Sequence, residues 1–193
     1  MIFHDAKDEG MIIKYIESYI RNKDLNLLSI GCGDMSIERA LYANNSNLMI
    51  TGIDVLPLTH IDNVRYICAD ALTFNYGKLG AKFDLIYSFS FCQYITETQI
   101  NNLNKLLVPL LVNNGHLIHF AIPDKRKKKL YKKNRKLDLN RHSNSSVTTS
   151  TDFIDEQSRW IDLNKLRIPE NTDMYLSADR LYFERFVQHI IKS

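Results

Sequence analysis

Two glycines one residue apart close the apolar run Leu27-Leu28-Ser29-Ile30-Gly31-Cys32-Gly33-Asp34, and a second apolar run, Leu48-Met49-Ile50-Thr51-Gly52-Ile53, ends on Asp54. This pairing limits what the chain can fold into more than any other feature. A helix-forming segment, Ser36 to Ala43, separates the runs. The order is therefore strand, glycine turn, helix, strand, the opening of a parallel α/β sheet that binds a nucleotide. Glycines let the backbone turn sharply and come close to a ligand. A carboxylate at the tip of the second strand is placed to accept both hydroxyls of a ribose, although Asp54 could also simply cap a turn.

The residues after the glycines separate two classes of ligand. A pyrophosphate needs an open, positive helix N-terminus and a third glycine for close helix packing. Here Ser36 stands at the third-glycine position, and Asp34 puts a negative charge where the pyrophosphate would lie. NAD and FAD are disfavoured. A ligand with a ribose, an ammonium and a sulfonium but no phosphate tolerates or uses Asp34, and S-adenosylmethionine is such a ligand.

The run Leu28 to Asp34 resembles motif I of the class I S-adenosylmethionine-dependent methyltransferases. Further segments resemble the family in its own order. Val64 to Ala71 is similar to the third strand with its adenine-reading Asp70, Phe83 to Ser88 to the fourth strand, Gly115 to Phe120 to the fifth, and Glu184 to Ile191 to the closing antiparallel strand. The likeness implies a Rossmann-like three-layer α/β/α sandwich with a mostly parallel seven-stranded sheet and an antiparallel last strand. The chain departs from the family at two points. Ser29 stands where an acidic residue is frequent, which removes one possible partner for the methionine ammonium. The third glycine, common near Met35 or Ser36, is missing.

On this plan the cofactor residues are Gly31, Cys32, Gly33, Asp34, Asp54, Val55, Asp70, Ala71, Leu72 and Ser88. Val55 follows the ribose carboxylate and would lie against the adenine. Asp70 would accept from the adenine amino group, with the Ala71 and Leu72 amides donating to the ring; a helix N-cap is its alternative use. Gln93 and Tyr94, after strand four, are candidates for contacts to the methyl acceptor, as is His4 near the N-terminus. Candidate general bases are His119 and Asp124, with His4 a third. A histidine inside a strand is more often a packed core residue, so both readings of His119 stay open. No clustered His and carboxylate ligands point to a metal.

At 193 residues, with 45% hydrophobic and 10% aromatic content, the chain suits one globular domain. No apolar run reaches the roughly 18 residues that span a bilayer. No basic segment followed by an apolar one marks the N-terminus for secretion, and a cytoplasmic location is the expectation. The three cysteines are far apart and read as reduced thiols packed beside strands.

Periodicity predicts an amphipathic N-terminal helix over Glu9 to Lys23, within an N-terminal segment 1–24. It predicts strands Leu25–Ile30, Leu48–Ile53, Val64–Ala69, Phe83–Phe89 and His116–Ile122, then Met174–Leu176 and Leu181–Lys192. Helices are expected over Met35–Ala43 and Glu97–Leu111, with a turn at Asn113-Asn114-Gly115. Of the chain's 25 basic and 22 acidic residues, nine basic and no acidic ones fall in Lys125 to Lys136. The rest of the chain is net acidic. This basic run and the polar stretch after it form an insertion, 125–151, either a solvated surface segment or a lid over the acceptor pocket.

These expectations converge on methyl transfer from S-adenosylmethionine, leaving S-adenosylhomocysteine, to a small molecule such as a sugar or phosphate-bearing intermediate. No Asn-Pro-Pro-Tyr or Asp-Pro-Pro-Tyr follows strand four. RNA methylation through the basic run is the alternative; a degenerate, non-catalytic domain that binds cofactor or a protein partner is a third reading.

Overall fold

The computed structural model describes residues 6–20, 24–58, 63–129, 158–178 and 185–193. Helix α1 (Ala6–Ile20) leads into strand β1 (Asn26–Ile30), helix α2 (Ser36–Asn44) and strand β2 (Met49–Asp54). Strands β3 (Arg65–Cys68) and β4 (Phe83–Phe89), helix α3 (Glu97–Leu107) and strand β5 (Leu111–Pro123) follow. Strands β6 (Thr172–Ala178) and β7 (Arg185–Lys192) complete one seven-stranded sheet in the order β3-β2-β1-β4-β5-β7-β6. Strands β1 to β5 pair in parallel, and β7 runs antiparallel to both β5 and β6. The order reverses between β1 and β4, the place where open α/β sheets bind ligands beyond the carboxyl ends of their strands.

Alternation along the central strands builds two cores, because successive side chains leave a strand on opposite faces. Leu27, Leu85, Tyr87, Ile118 and Phe120 pack toward α1 and α2 with Ile12, Ile16, Ile37 and Leu41. Leu28, Ile30, Ile86, Leu117 and Ile190 pack toward α3 with Ile100, Leu103 and Leu107. The N-terminus of α3 is fixed by a capping box, in which the Thr96 hydroxyl accepts from the Gln99 amide (3.3 Å) while Gln99 Oε1 accepts from the Thr96 amide (2.9 Å).

Two boundaries differ most from expectation, whereas α1 begins three residues earlier than expected and β6 extends two residues further at each end. The helix expected to Leu111 stops at Leu107, and a short 3-10 turn, Val108–Leu110, carries Pro109, whose ring would clash with the preceding turn of a continuing helix. The turn expected at Asn113-Asn114-Gly115 is instead an irregular opening of β5. The register jumps there from Phe83 opposite Leu111 to Leu85 opposite His116. Asn114 takes a positive φ of 60°, and a Cβ on Gly115 would meet the Val112 carbonyl oxygen at 2.9 Å. The extra residues are absorbed as a bulge rather than a reversal.

Candidate functional site

The glycine loop between β1 and α2 is held from below by β2. The Gly31 amide donates to the Ile53 carbonyl (2.8 Å), and the Gly33 amide donates to Asp54 Oδ2 (2.8 Å). Gly31 has φ +67°, and a Cβ there would lie 2.4 Å from the Phe91 ring. Gly33 has φ +57° but faces open space, so this is where the backbone leaves room for a ligand. Met35, at the place of the missing third glycine, adopts φ 63°, the conformation a glycine would supply. The cost of about 1–2 kcal/mol for a left-handed non-glycine residue is offset by complete burial of its side chain. That side chain lies over Gly52, where a Cβ would come within 2.7 Å of both Met35 Cε and Cys32 Sγ. The altered loop thus keeps the glycine-loop path by packing.

The loop forms one wall of a cavity of about 900 Å³ at the carboxyl ends of the strands. Asp54 and Val55 at the end of β2, and Ala69, Asp70 and Ala71 after β3, line one end. Ser29, Glu38 and Tyr87 line its floor, and Phe89, Ser90, Phe91, Gln93 and Tyr94 line the end beyond β4. Asp54 Oδ1 accepts from the Leu56 amide (3.0 Å), so both its oxygens anchor backbone while retaining lone pairs for further donors. Asp70 Oδ1 accepts from the Leu72 amide (2.9 Å), and the exposed Val55 side chain lies beside the cavity.

Four carboxylates line this cavity, Asp34, Glu38, Asp54 and Asp70, and no lysine, arginine or histidine lines it among the described residues. Glu38 stands apart from the other three. It is 1% exposed, its Oε1 accepts from the Tyr87 hydroxyl (2.7 Å), and its Oε2 has no hydrogen-bond partner. Burial pushes its carboxyl upward, against the opposing effect of hydrogen bonds from Ser29 and Tyr87. Ser29 and Tyr87 are register partners on the adjacent strands β1 and β4, so both project to the face that α2 covers. Burial, with Glu38 and Asp54 nearby, also raises Cys32, which remains a thiol rather than a nucleophilic thiolate.

Of the residues singled out in the sequence, Gly31, Cys32, Gly33, Asp34, Asp54, Val55, Asp70, Ala71, Gln93 and Tyr94 meet at this cavity. Gln93 is buried, and the returning chain clamps it: the Arg159 amide donates to its carbonyl (2.6 Å) and the Ser158 hydroxyl to Oε1 (3.4 Å). Four expectations are corrected. Leu72 does not line the cavity, and its amide is committed to Asp70. Ser88 points to the opposite face of β4, where its hydroxyl meets His119 Nδ1 at 2.7 Å. His119 is completely buried, its Nε2 bonded to Asn104 Oδ1 (2.8 Å), and desolvation lowers it to about 4. A ring with both nitrogens engaged beneath α3 is a core strut, not a base facing an acceptor. Asp124 lies outside the cavity as well; it is 1% exposed, caps the 3-10 turn Lys125–Lys127 and grips Arg126 through Nε and Nη2. His4 falls outside the described residues, as does the 125–151 insertion beyond residue 129.

Sequence reasoning missed Glu38 together with Tyr87, Phe89 and Phe91. The available signal was an acid on the buried face of α2, between Ile37 and Leu41.

The fold is that of the class I, Rossmann-like S-adenosylmethionine-dependent methyltransferases. A plantazolicin methyltransferase, BpumL, solved with a triazolic desmethylPZN analog and SAH, matches with a TM-score of 0.64 at 15% identity, over 96% of this chain and 83% of that one. The magnesium protoporphyrin IX methyltransferase ChlM from Synechocystis PCC 6803, with bound SAH, matches with a TM-score of 0.63 at 12% identity, covering 97% and 83%. The N-methyltransferase NodS from Bradyrhizobium japonicum WM9, in complex with SAH, gives 0.58 at 16%, covering 97% and 88%. No protein-family model matches the sequence, and no curated protein matches it. Among the described residues no helix is long and apolar enough to cross a membrane.

Proposed function

We propose that this protein transfers a methyl group from S-adenosylmethionine to a small-molecule acceptor. The observation that carries the reading is the acidic lining of the cavity: the aspartates Asp34, Asp54 and Asp70, the buried carboxyl of Glu38, and no described cation, around a glycine loop open at Gly33. Such an acidic lining repels a pyrophosphate and suits a phosphate-free nucleoside with a cationic tail. Asp54 takes the ribose hydroxyls, and Asp70 with Ala71 and Val55 frames the adenine. The bound cofactor supplies an electrophilic methyl on its sulfonium. The chain's own task is then alignment and exclusion of water. Phe89, Phe91 and Tyr94 line the acceptor end, which favours an acceptor with an apolar or planar body, and Gln93 supplies a polar contact. RNA methylation is the less favoured reading, because Lys125 lies 3.7 Å from Asp162 and Arg126 pairs with Asp124.

The test is calorimetric titration with S-adenosylmethionine, S-adenosylhomocysteine and NAD, followed by a labelled-methyl screen of planar small molecules and of RNA. Micromolar binding of the two sulfur ligands and not of NAD is expected, with transfer to a small molecule. Tyr94→Ala should then raise the acceptor KM about tenfold with S-adenosylhomocysteine affinity unchanged. Absence of binding by either sulfur ligand refutes the reading, and transfer to RNA alone refutes the acceptor class.

A further inference from the structure

The floor of the cavity carries a group that the glycine loop and the strand-end carboxylates do not account for. Glu38 reaches from the first turn of α2 to the paired hydroxyls of Ser29 and Tyr87, and it is buried with Oε2 unpartnered. A buried carboxyl oxygen without a donor is costly, and it is the kind of group a ligand completes. The Tyr87 hydroxyl holds Oε1, while Oε2 is buried without a partner in a side chain that lines the cavity.

The layout of the sheet says which part of a ligand would meet it. Asp54 and Asp70 stand at the ends of β2 and β3, on one side of the glycine loop. Ser29 and Tyr87 stand on β1 and β4, on the other side. A nucleoside held by Asp54 and Asp70 therefore sends its 5′ substituent across the loop toward β1 and β4. Among the described residues lining that side, Glu38 is the buried acid, and Ser29 is uncharged.

We infer that Glu38 is the receptor for the ammonium of the ligand's amino-acid end, an acid carried on α2 instead of β1, and that it gives up a proton when the ammonium binds. The inference rests on the function proposed above. In the free protein, desolvation holds the carboxyl up. The groups facing it do not relieve that: Tyr87 on β4 is itself raised by burial and by Glu38, Cys32 in the loop is held as a thiol, and Asp34 is a like charge. An arriving ammonium favours the carboxylate, and the carboxyl proton leaves to buffer as the ion pair forms.

The experiment compares S-adenosylhomocysteine with 5′-methylthioadenosine, which keeps the nucleoside and the sulfur but lacks the ammonium. Both are titrated at pH 7 in two buffers of different ionisation enthalpy, into wild type and Glu38→Gln. Wild type should release a fraction of a proton with S-adenosylhomocysteine and none with 5′-methylthioadenosine. Glu38→Gln should lose on the order of tenfold to a hundredfold in affinity for S-adenosylhomocysteine, keep its affinity for 5′-methylthioadenosine, and release no proton. Its ligand-free melting temperature should equal or exceed that of wild type, since an unpaired buried acid has been removed. Equal losses for both ligands, or unchanged affinity for both, overturn the inference while leaving the proposed function standing. Failure of wild type to bind either ligand overturns both. Proton release by wild type is read without any variant, so a Glu38→Gln protein that does not fold still leaves the inference exposed to refutation.

Discussion

Asp54→Ala separates the loop anchoring that the structure shows for this carboxylate from the ribose contact proposed for it. In the folded chain its oxygens accept from the Gly33 amide at 2.8 Å and the Leu56 amide at 3.0 Å. Both bonds are partly exposed, so water replaces much of what alanine removes, and the expected loss of folding stability is about 1–2 kcal/mol in urea denaturation. The proposed ribose contact is read in binding and not in folding. Loss of a charged acceptor for both hydroxyls should cost about 1–3 kcal/mol of binding, roughly fivefold to 150-fold in Kd. Asn is not a neutral control. Its amide offers one acceptor where two backbone donors converge, so one donor would face an NH2 group. The sharper control removes the hydroxyls from the ligand: adenosine and 2′,3′-dideoxyadenosine, titrated into wild type and Asp54→Ala, close a double-mutant cycle. A coupling of at least about 1 kcal/mol is expected. A coupling near zero in a variant that still unfolds cooperatively refutes the assignment of Asp54 to the ribose.

Gly31→Ala should be more damaging to the fold than its single methyl suggests. It adds a left-handed penalty of about 1–2 kcal/mol and a clash 2.4 Å from the Phe91 ring, for a total of about 2–5 kcal/mol in chemical denaturation; a change below 1 kcal/mol would show that the loop relaxes freely. Acid should destabilise the protein through His119, which burial lowers from 6.5 to about 4. The unfolded chain takes up a proton below pH 6.5 and the folded chain does not until about pH 4, so stability is intact above that window. It is lost as pH falls through it, by up to about 3 kcal/mol for this group. His189, lowered to about 4 by burial and by His116, acts in the same direction. Denaturation midpoints measured from pH 7.5 to 4.5 check this, and a flat profile for wild type would contradict the buried neutral imidazole.

Much of the sheet was legible because its signals are local. The alternation that sends Leu27 and Leu28 to opposite cores, the glycine loop and the carboxylates at Asp54 and Asp70 all depend on residues close in sequence. The cofactor end of the site follows from the same segments, since a glycine loop and two strand ends of parallel neighbours must lie side by side. Even the lost third glycine proved a local matter, with Met35 taking the required backbone and burying its side chain over Gly52. What could not be read was the direction of a side chain within a layer and the identity of its partner across layers. Ser88, near the end of strand four, reads as a cofactor residue, and His119, inside strand five, reads as either a core residue or a base. Register pairs them with each other, and α3 supplies Asn104 from across the layer, which makes them a buried strut. Asp124 was read as a base beyond β5, yet the next two residues turn back so that Arg126 takes its carboxylate.

The converse case is Glu38, unremarkable as one acid in a short helix. It gains meaning only when β1 and β4 pair with Ser29 opposite Tyr87 and α2 folds over them. The sequence by itself determined the succession of strands, glycine loop and helices along the chain, because periodicity and turn chemistry act within a few residues. Tertiary structure decided which carboxyl is dry, which is anchored and which imidazole is spent on the core, because desolvation and hydrogen bonding depend on what comes from the far side of the sheet.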